Sequence, residues 1–223
     1  MFGVFASHLF TGIDCQGEIH VCGLSGKTAE DMALSSETSI VDVCGIAWKG
    51  ISRVLKEDGP FDLAILMAGT NDMIDASTRA EAAVNLLRLH IACHEMGVPT
   101  VAVALPPAPC ADELWHKNRE TLVKQMASLL KRTAWKPLFI DPASYLDAHD
   151  RLLWDSDGLH FSQLGSVVLG KCLAKVVMVL WGHERGPHRR PAAFPISRAS
   201  WARKQCTAMD VQCPVGRSLH FRL

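Results

Sequence analysis

Apolar runs alternate with helical periods along most of this chain, and that alternation sets the expected architecture. Leu63 to Met67 and Thr100 to Leu105 are continuous apolar stretches, the pattern of parallel strands buried on both faces. The first meets the loop Gly69-Thr70-Asn71-Asp72, and the second is closed by Pro106-Pro107. Glu18 to Cys22 and Leu138 to Ile140 read as further strands. Helical periods are expected over Phe2 to Phe10, Gly45 to Lys56, Ser77 to Met96, Asp112 to Arg132 and Ser162 to Trp181. Within the second, Ile46, Trp48, Ile51, Val54 and Leu55 supply the apolar positions, and Asp58-Gly59-Pro60 supplies the stop. Gly97 ends the third. Thr28-Ala29-Glu30-Asp31 has a capping residue followed by acidic first-turn residues, as a helix start should. The alternation predicts an α/β fold: a doubly wound, flavodoxin-like parallel sheet with helices on both faces.

After Gly182 the pattern dissolves. Prolines 187, 191, 195 and 214 alternate with Arg and Ser, and no period persists. Residues 1–182 are therefore expected to form one domain, and residues 183–223 a disordered basic tail. Arg185, Arg189, Arg190, Arg198, Arg203, Lys204, Arg217 and Arg222 crowd that tail, against only Glu184 and Asp210.

Composition narrows the picture further. The 223 residues carry 23 basic and 23 acidic side chains, so the formal net charge is zero. Nothing in the bulk suggests nucleic acid as a partner. The eight cysteines include no C-x-x-C pair. They read as free thiols acting as small hydrophobes, which argues against a zinc site and for a reducing compartment. Met1 to Ala6 is apolar but brief and has no basic flank. It suits neither a signal peptide nor a membrane span, and a cytoplasmic location is expected.

The candidate chemistry lies in three blocks. Asp157-Gly158-Leu159-His160 sets a carboxylate three residues before an imidazole, just ahead of the final helix. Such a carboxylate can orient the ring through one nitrogen while the other serves as a general base. Gly69-Thr70-Asn71-Asp72 leaves a strand at its C-terminal edge, where open α/β sheets bind ligands. Gly23-Leu24-Ser25-Gly26 forms a glycine loop upstream.

In that order and spacing the three blocks resemble the SGNH (GDSL-type) hydrolases, over roughly the first four-fifths of the chain. The resemblance implies an ester hydrolase that needs no cofactor or metal and acts on acyl or acetyl esters of lipids, sugars or small alcohols. It implies that His160 is the base and Asp157 its orienting carboxylate. Asn71 and Gly26 would form the oxyanion hole, and Asp72 would brace the loop. These residues should meet in one cleft.

The family's nucleophile is the serine of a Gly-Asp-Ser block, about thirty residues before the glycine block. No Gly-Asp-Ser occurs here, and counting back from Gly26 runs past Met1. The first central strand is thus expected to be missing, and activity to be slow or nil. Ser7 lies on the expected N-terminal helix and Ser25 in the glycine loop; the family pattern gives Ser25 no nucleophilic role, and it stands only as a minor candidate.

Two other functions compete. One is a non-catalytic relative with a binding or vestigial role. The other is a nucleotide binder, because Gly26-Lys27-Thr28 ends like a phosphate-binding loop, although Val21 stands where that motif needs glycine. Trp154, three residues before Asp157, is read either as core or as a wall of the substrate mouth.

Overall fold

A computed structural model describes the chain from residue 19 to residue 184, with side chains to residue 178. The expected Phe2–Phe10 helix, Ser7 and residues 185–223 of the expected tail lie outside the described residues. Helix α1 spans Ala29–Leu34, strands β1 and β2 span Ser39–Val41 and Ala47–Lys49, and α2 spans Ile51–Glu57. Then follow β3 (Ala64–Met67), α3 (Ala76–Glu95), β4 (Thr100–Val103), α4 (Glu113–Arg132), β5 (Leu138–Ile140) and α5 (Gln163–Glu184).

β3, β4 and β5 form a parallel sheet in that order, with Ile65 opposite Val101 and Ala102 opposite Phe139. β3 and β4 are buried at every position, as continuous apolar runs require. Side chains of alternate residues point to opposite faces, so β3 feeds two cores. Ala64, Leu66 and Ala68 pack with Leu86, Leu89 and Cys93 of α3 and with Leu122 and Met126 of α4. Leu63, Ile65 and Met67 pack with Leu169, Leu173 and Val177 of α5. Helices therefore cover both faces of a parallel sheet, as the sequence pattern predicts.

Local chemistry sets the helix ends. Asp75 and Asp112 accept the backbone N–H groups of Ser77 and Trp115, and Thr28 forms a reciprocal capping box with Asp31. α3 closes in a Schellman motif. Val98 N–H reaches Cys93 O at 3.0 Å and Gly97 N–H reaches His94 O at 2.9 Å. Gly97 takes φ +75° there.

The expected Gly45–Lys56 helix is only half right. Its first part is β2, paired antiparallel with β1 so that Ile40 faces Trp48, and the helix begins at Ile51. The cause is Asp42. Its carboxylate accepts from the N–H groups of Cys44 and Ile46 and from Trp48 Nε1, which turns the chain back as a hairpin. β1 itself carries too few residues to register as a pattern. Ile19–Cys22, expected as part of a strand, is not one of the five β strands, and Ile19 and Val21 pack instead on the α5 side.

Candidate functional site

Three loops leave the C-terminal edge of the sheet or lie against loops that do. The first follows β3. Gly69 turns it at φ +108°, and Asn71–Met73 forms one 3-10 turn. The Asn71 side-chain amide donates to Lys27 O at 2.9 Å, across 44 residues of sequence. That contact brings Asn71 beside the glycine loop, where Lys27 N–H closes a turn on Leu24 O at 3.3 Å. Gly26 sits in that turn at φ +71°, and a Cβ there would fall 2.4 Å from Val43 Cγ1. Glycine is thus required at this position by backbone and packing alike.

Asp72 is the buried partner of the same contact. It is 0% exposed and accepts Ala29 N–H at 2.9 Å with Oδ2 and 3.2 Å with Oδ1. Burial drives its carboxyl up from 3.8 to about 6, the N–H groups of Ala29 and of Asp72 itself pull it down, and Asp31 and Glu30 push it up further.

The third loop runs from Trp154 to Phe161, which pair across an antiparallel bridge. Asp155 N–H donates to His160 O at 2.8 Å, and Gly158 N–H to Asp155 O at 3.0 Å. Within this frame Asp157 Oδ1 accepts from Leu159 N–H at 2.8 Å and from His160 N–H at 2.9 Å. Asp157 Oδ2 lies 2.5 Å from His160 Nδ1. Burial acts to raise the Asp157 carboxyl, but the His160 backbone N–H, the His160 ring and the Leu159 N–H together outweigh it and hold the group at about 2. Asp157 therefore stays a carboxylate at any working pH, and it fixes the Nδ1 side of the imidazole.

A tie joins this loop to the sheet. Cys110 N–H, on the loop after β4, donates to Gly158 O at 3.2 Å. Gly158 takes φ +66°, and a Cβ there would fall 3.0 Å from Cys110 N. Because β3 and β4 are parallel neighbours, the Asn71 loop and the Cys110 loop leave the sheet at the same edge. Asn71 thus meets the Gly26 loop, Asp157 meets His160, and both pairs are held at one end of the sheet.

Other expectations fare differently. Among the described residues no hydrogen bond joins Ser25 to His160, and the Ser25 carbonyl accepts Val43 N–H at 3.2 Å. Trp154 is 5% exposed, stacks in a tilted pair with Phe161, and donates from Nε1 to Asp147 O. It is core, not a wall of the mouth. Thr28 serves its capping box, and α1 has only six residues, so the phosphate-loop reading finds no support. Lys27 O and Cys110 N–H were invisible to sequence reasoning, because backbone atoms leave no residue-type signal. No group of three or more His, Cys, Asp or Glu side chains among the described residues could hold a metal. No disulfide joins two of the five described cysteines. No helix in the described residues is long and apolar enough to cross a membrane.

Two buried groups titrate against each other. His90 is 1% exposed, shares a 2.8 Å hydrogen bond with Thr100 Oγ1, and is held down from 6.5 to about 4 by burial. Between those values the unfolded chain binds the His90 proton and the folded chain does not, so this group costs stability as pH falls. Asp72 does the reverse: from pH 6 down to 3.8 the folded chain binds the proton first, so stability rises as pH falls. The two slopes oppose across pH 4.5 to 6. Urea unfolding should be nearly flat with pH in that window for these two groups. Asp72→Asn should lose stability on acidification and His90→Gln should gain it, each by up to ~1.4 kcal/mol per pH unit. Parallel slopes in the two variants would refute the pairing.

The fold and the loop-borne carboxylate–imidazole pair define an α/β domain of hydrolase type. Residues 15–167 match the GDSL-like lipase/acylhydrolase family, and the chain belongs to it. No curated protein matches. Among solved structures it is similar to a family 3 carbohydrate esterase of Clostridium thermocellum, with 16% identity, 83% of this chain and 89% of that one covered, and a TM-score of 0.56. A GDSL-like lipase of Bacteroides thetaiotaomicron matches at 16% identity over 80% of this chain and 83% of its own, TM-score 0.53. The lipase/acylhydrolase of Enterococcus faecalis matches at 22% identity over 80% and 84%, TM-score 0.50. At these identities the likeness is one of fold, and the membership places the chain among hydrolases of ester bonds.

Proposed function

We propose that this chain carries the acid–base and oxyanion machinery of a serine-type ester hydrolase, acting on acyl or acetyl esters of a small alcohol, sugar or lipid. The observation that carries the reading is the Asp157–His160 contact, with both carboxylate oxygens engaged and Nδ1 held. His160 Nε2 would take the proton of an attacking serine hydroxyl as its oxygen bonds to the ester carbonyl carbon. The carbonyl oxygen would gain the negative charge and accept from Asn71 Nδ2 and Gly26 N–H. Collapse returns the electron pair, breaks the bond to the alcohol and hands that alcohol the proton. Water then repeats the cycle on the acyl-enzyme and releases the acid. No cofactor enters.

The second reading is a non-catalytic relative that keeps the fold for binding. Turnover of a short-chain aryl ester by the full chain separates the two. Turnover lost in Asn71→Ala by roughly a hundredfold or more, the scale of one oxyanion donor, supports the hydrolase. Turnover indistinguishable from the buffer rate supports the binding protein. Labelling by a serine-directed phosphonate, lost in Ser25→Ala, would identify the nucleophile as Ser25.

A further inference from the structure

We infer that Asp72 is the positioning residue of the oxyanion site, setting the Gly26 loop and Asn71 against each other by clamping the start of α1. This rests on the ester-hydrolase reading. Two rungs join the same pair of segments. Asn71 Nδ2 donates to Lys27 O at 2.9 Å, and the neighbouring Asp72 carboxylate takes Ala29 N–H with both oxygens, at 2.9 and 3.2 Å. A single rung leaves a hinge, and the Asn71 amide could swing about it. Two rungs from adjacent residues fix its orientation, and with it the direction of the second amide hydrogen.

The α1 terminus does not otherwise need a charge from so far away. Thr28 Oγ1 takes Asp31 N–H at 3.1 Å and Asp31 Oδ2 takes Thr28 N–H at 3.0 Å, so the cap is already closed locally. Only Ala29 N–H remains for Asp72, and a neutral acceptor could satisfy it without the cost of burying a carboxylate. The groups facing Asp72 from α1 are Glu30 and Asp31, both of which oppose its charge. From α3, Arg79 donates to the adjoining Met73 O at 3.0 Å. Lys27 lies on the glycine loop itself. The carboxylate is therefore kept against burial and like charge, at the one place where the two oxyanion donors are joined.

The test uses the full-length chain, labelled with nitrogen-15, from pH 4.5 to 7.5. The Gly26 backbone amide and the Asn71 side-chain amide should shift with one common midpoint near 6. That movement should vanish in Asp72→Asn, which keeps the size and one acceptor oxygen, and persist in His160→Asn. Where the chain turns over ester, Asp72→Asn should lower kcat tenfold or more with KM unchanged. Absence of a common titration, or its survival in Asp72→Asn, overturns the proposal. His160→Ala keeps the two ideas apart. Unchanged turnover in that variant sinks the hydrolase reading. A dead His160→Ala beside an unaltered Asp72→Asn sinks only the positioning role.

Discussion

Where the chain turns over ester, alanine in place of His160 is expected to lower that turnover by about 10²–10⁴-fold, the span a positioned general base contributes. The loss should fall on kcat, because the imidazole acts on the proton in flight rather than on the bound ester. Asp157 makes the prediction sharper. Its carboxyl is held at about 2 by donors from His160 and Leu159, so it is ionised throughout the pH range of the assay. Any acid limb in the rate above pH 4 therefore belongs to a group other than Asp157. Asp157→Asn keeps the shape of the loop but offers Nδ1 an amide that can present N–H instead of oxygen. The ring is then free to take the wrong tautomer, and the rate should fall nearly as far as in His160→Ala. Both rates are read from initial velocities on an aryl acetate. A His160→Ala chain that retains full turnover would place the chemistry elsewhere.

Gly165→Ala is expected to be strongly destabilising. A Cβ on Gly165, in the first turn of α5, would fall 2.0 Å from Leu153 O. That carbonyl cannot retreat freely, since it accepts Ser162 N–H at 3.0 Å. Overpacking against backbone costs about 3 kcal/mol, which for a domain of this size lowers Tm by about 10 °C. Leu153 immediately precedes Trp154, so a shifted backbone also moves the frame that holds Asp157 and His160. Turnover should fall even at temperatures where the variant is folded. Gly45→Ala is the control. Nothing lies within 4 Å of its would-be Cβ, and only the φ of +78° resists a side chain. That change should cost ~1 kcal/mol. Equal effects of the two substitutions, compared by thermal unfolding, would show that the close approach at Leu153 is not real.

What the sequence made legible is what depends on near neighbours. β3 and β4 were readable because both faces are buried, which leaves unbroken apolar runs. The end of α3 was readable because a Schellman motif needs a glycine at its left-handed position. Asp157 and His160 were readable as a pair because they lie three residues apart on one loop. The β1–β2 hairpin was not, because its turn is made by Asp42 gathering donors up to six residues ahead, while Ile46 and Trp48 mimic a helical spacing. The contact that sets Asn71 beside the glycine loop was not legible, because its acceptor is the backbone carbonyl of Lys27. Trp154 could be read two ways because an indole suits a core and a mouth alike. Only its 5% exposure decides.

The tie between Asp72 and Ala29 also bears on the order in which the chain folds. Helices shorter than about a dozen residues do not persist alone in water, and α1 has six. Its first N–H finds its acceptor 43 residues downstream. The glycine loop therefore has no reason to hold its shape until β3 is docked and closure of that long loop has been achieved. During refolding, the far-ultraviolet signal of α3 and α4 should recover before any binding or turnover does. Chains that have collapsed but not yet docked this segment would be helical and inert, and the active geometry would arrive only with the last long-range contact.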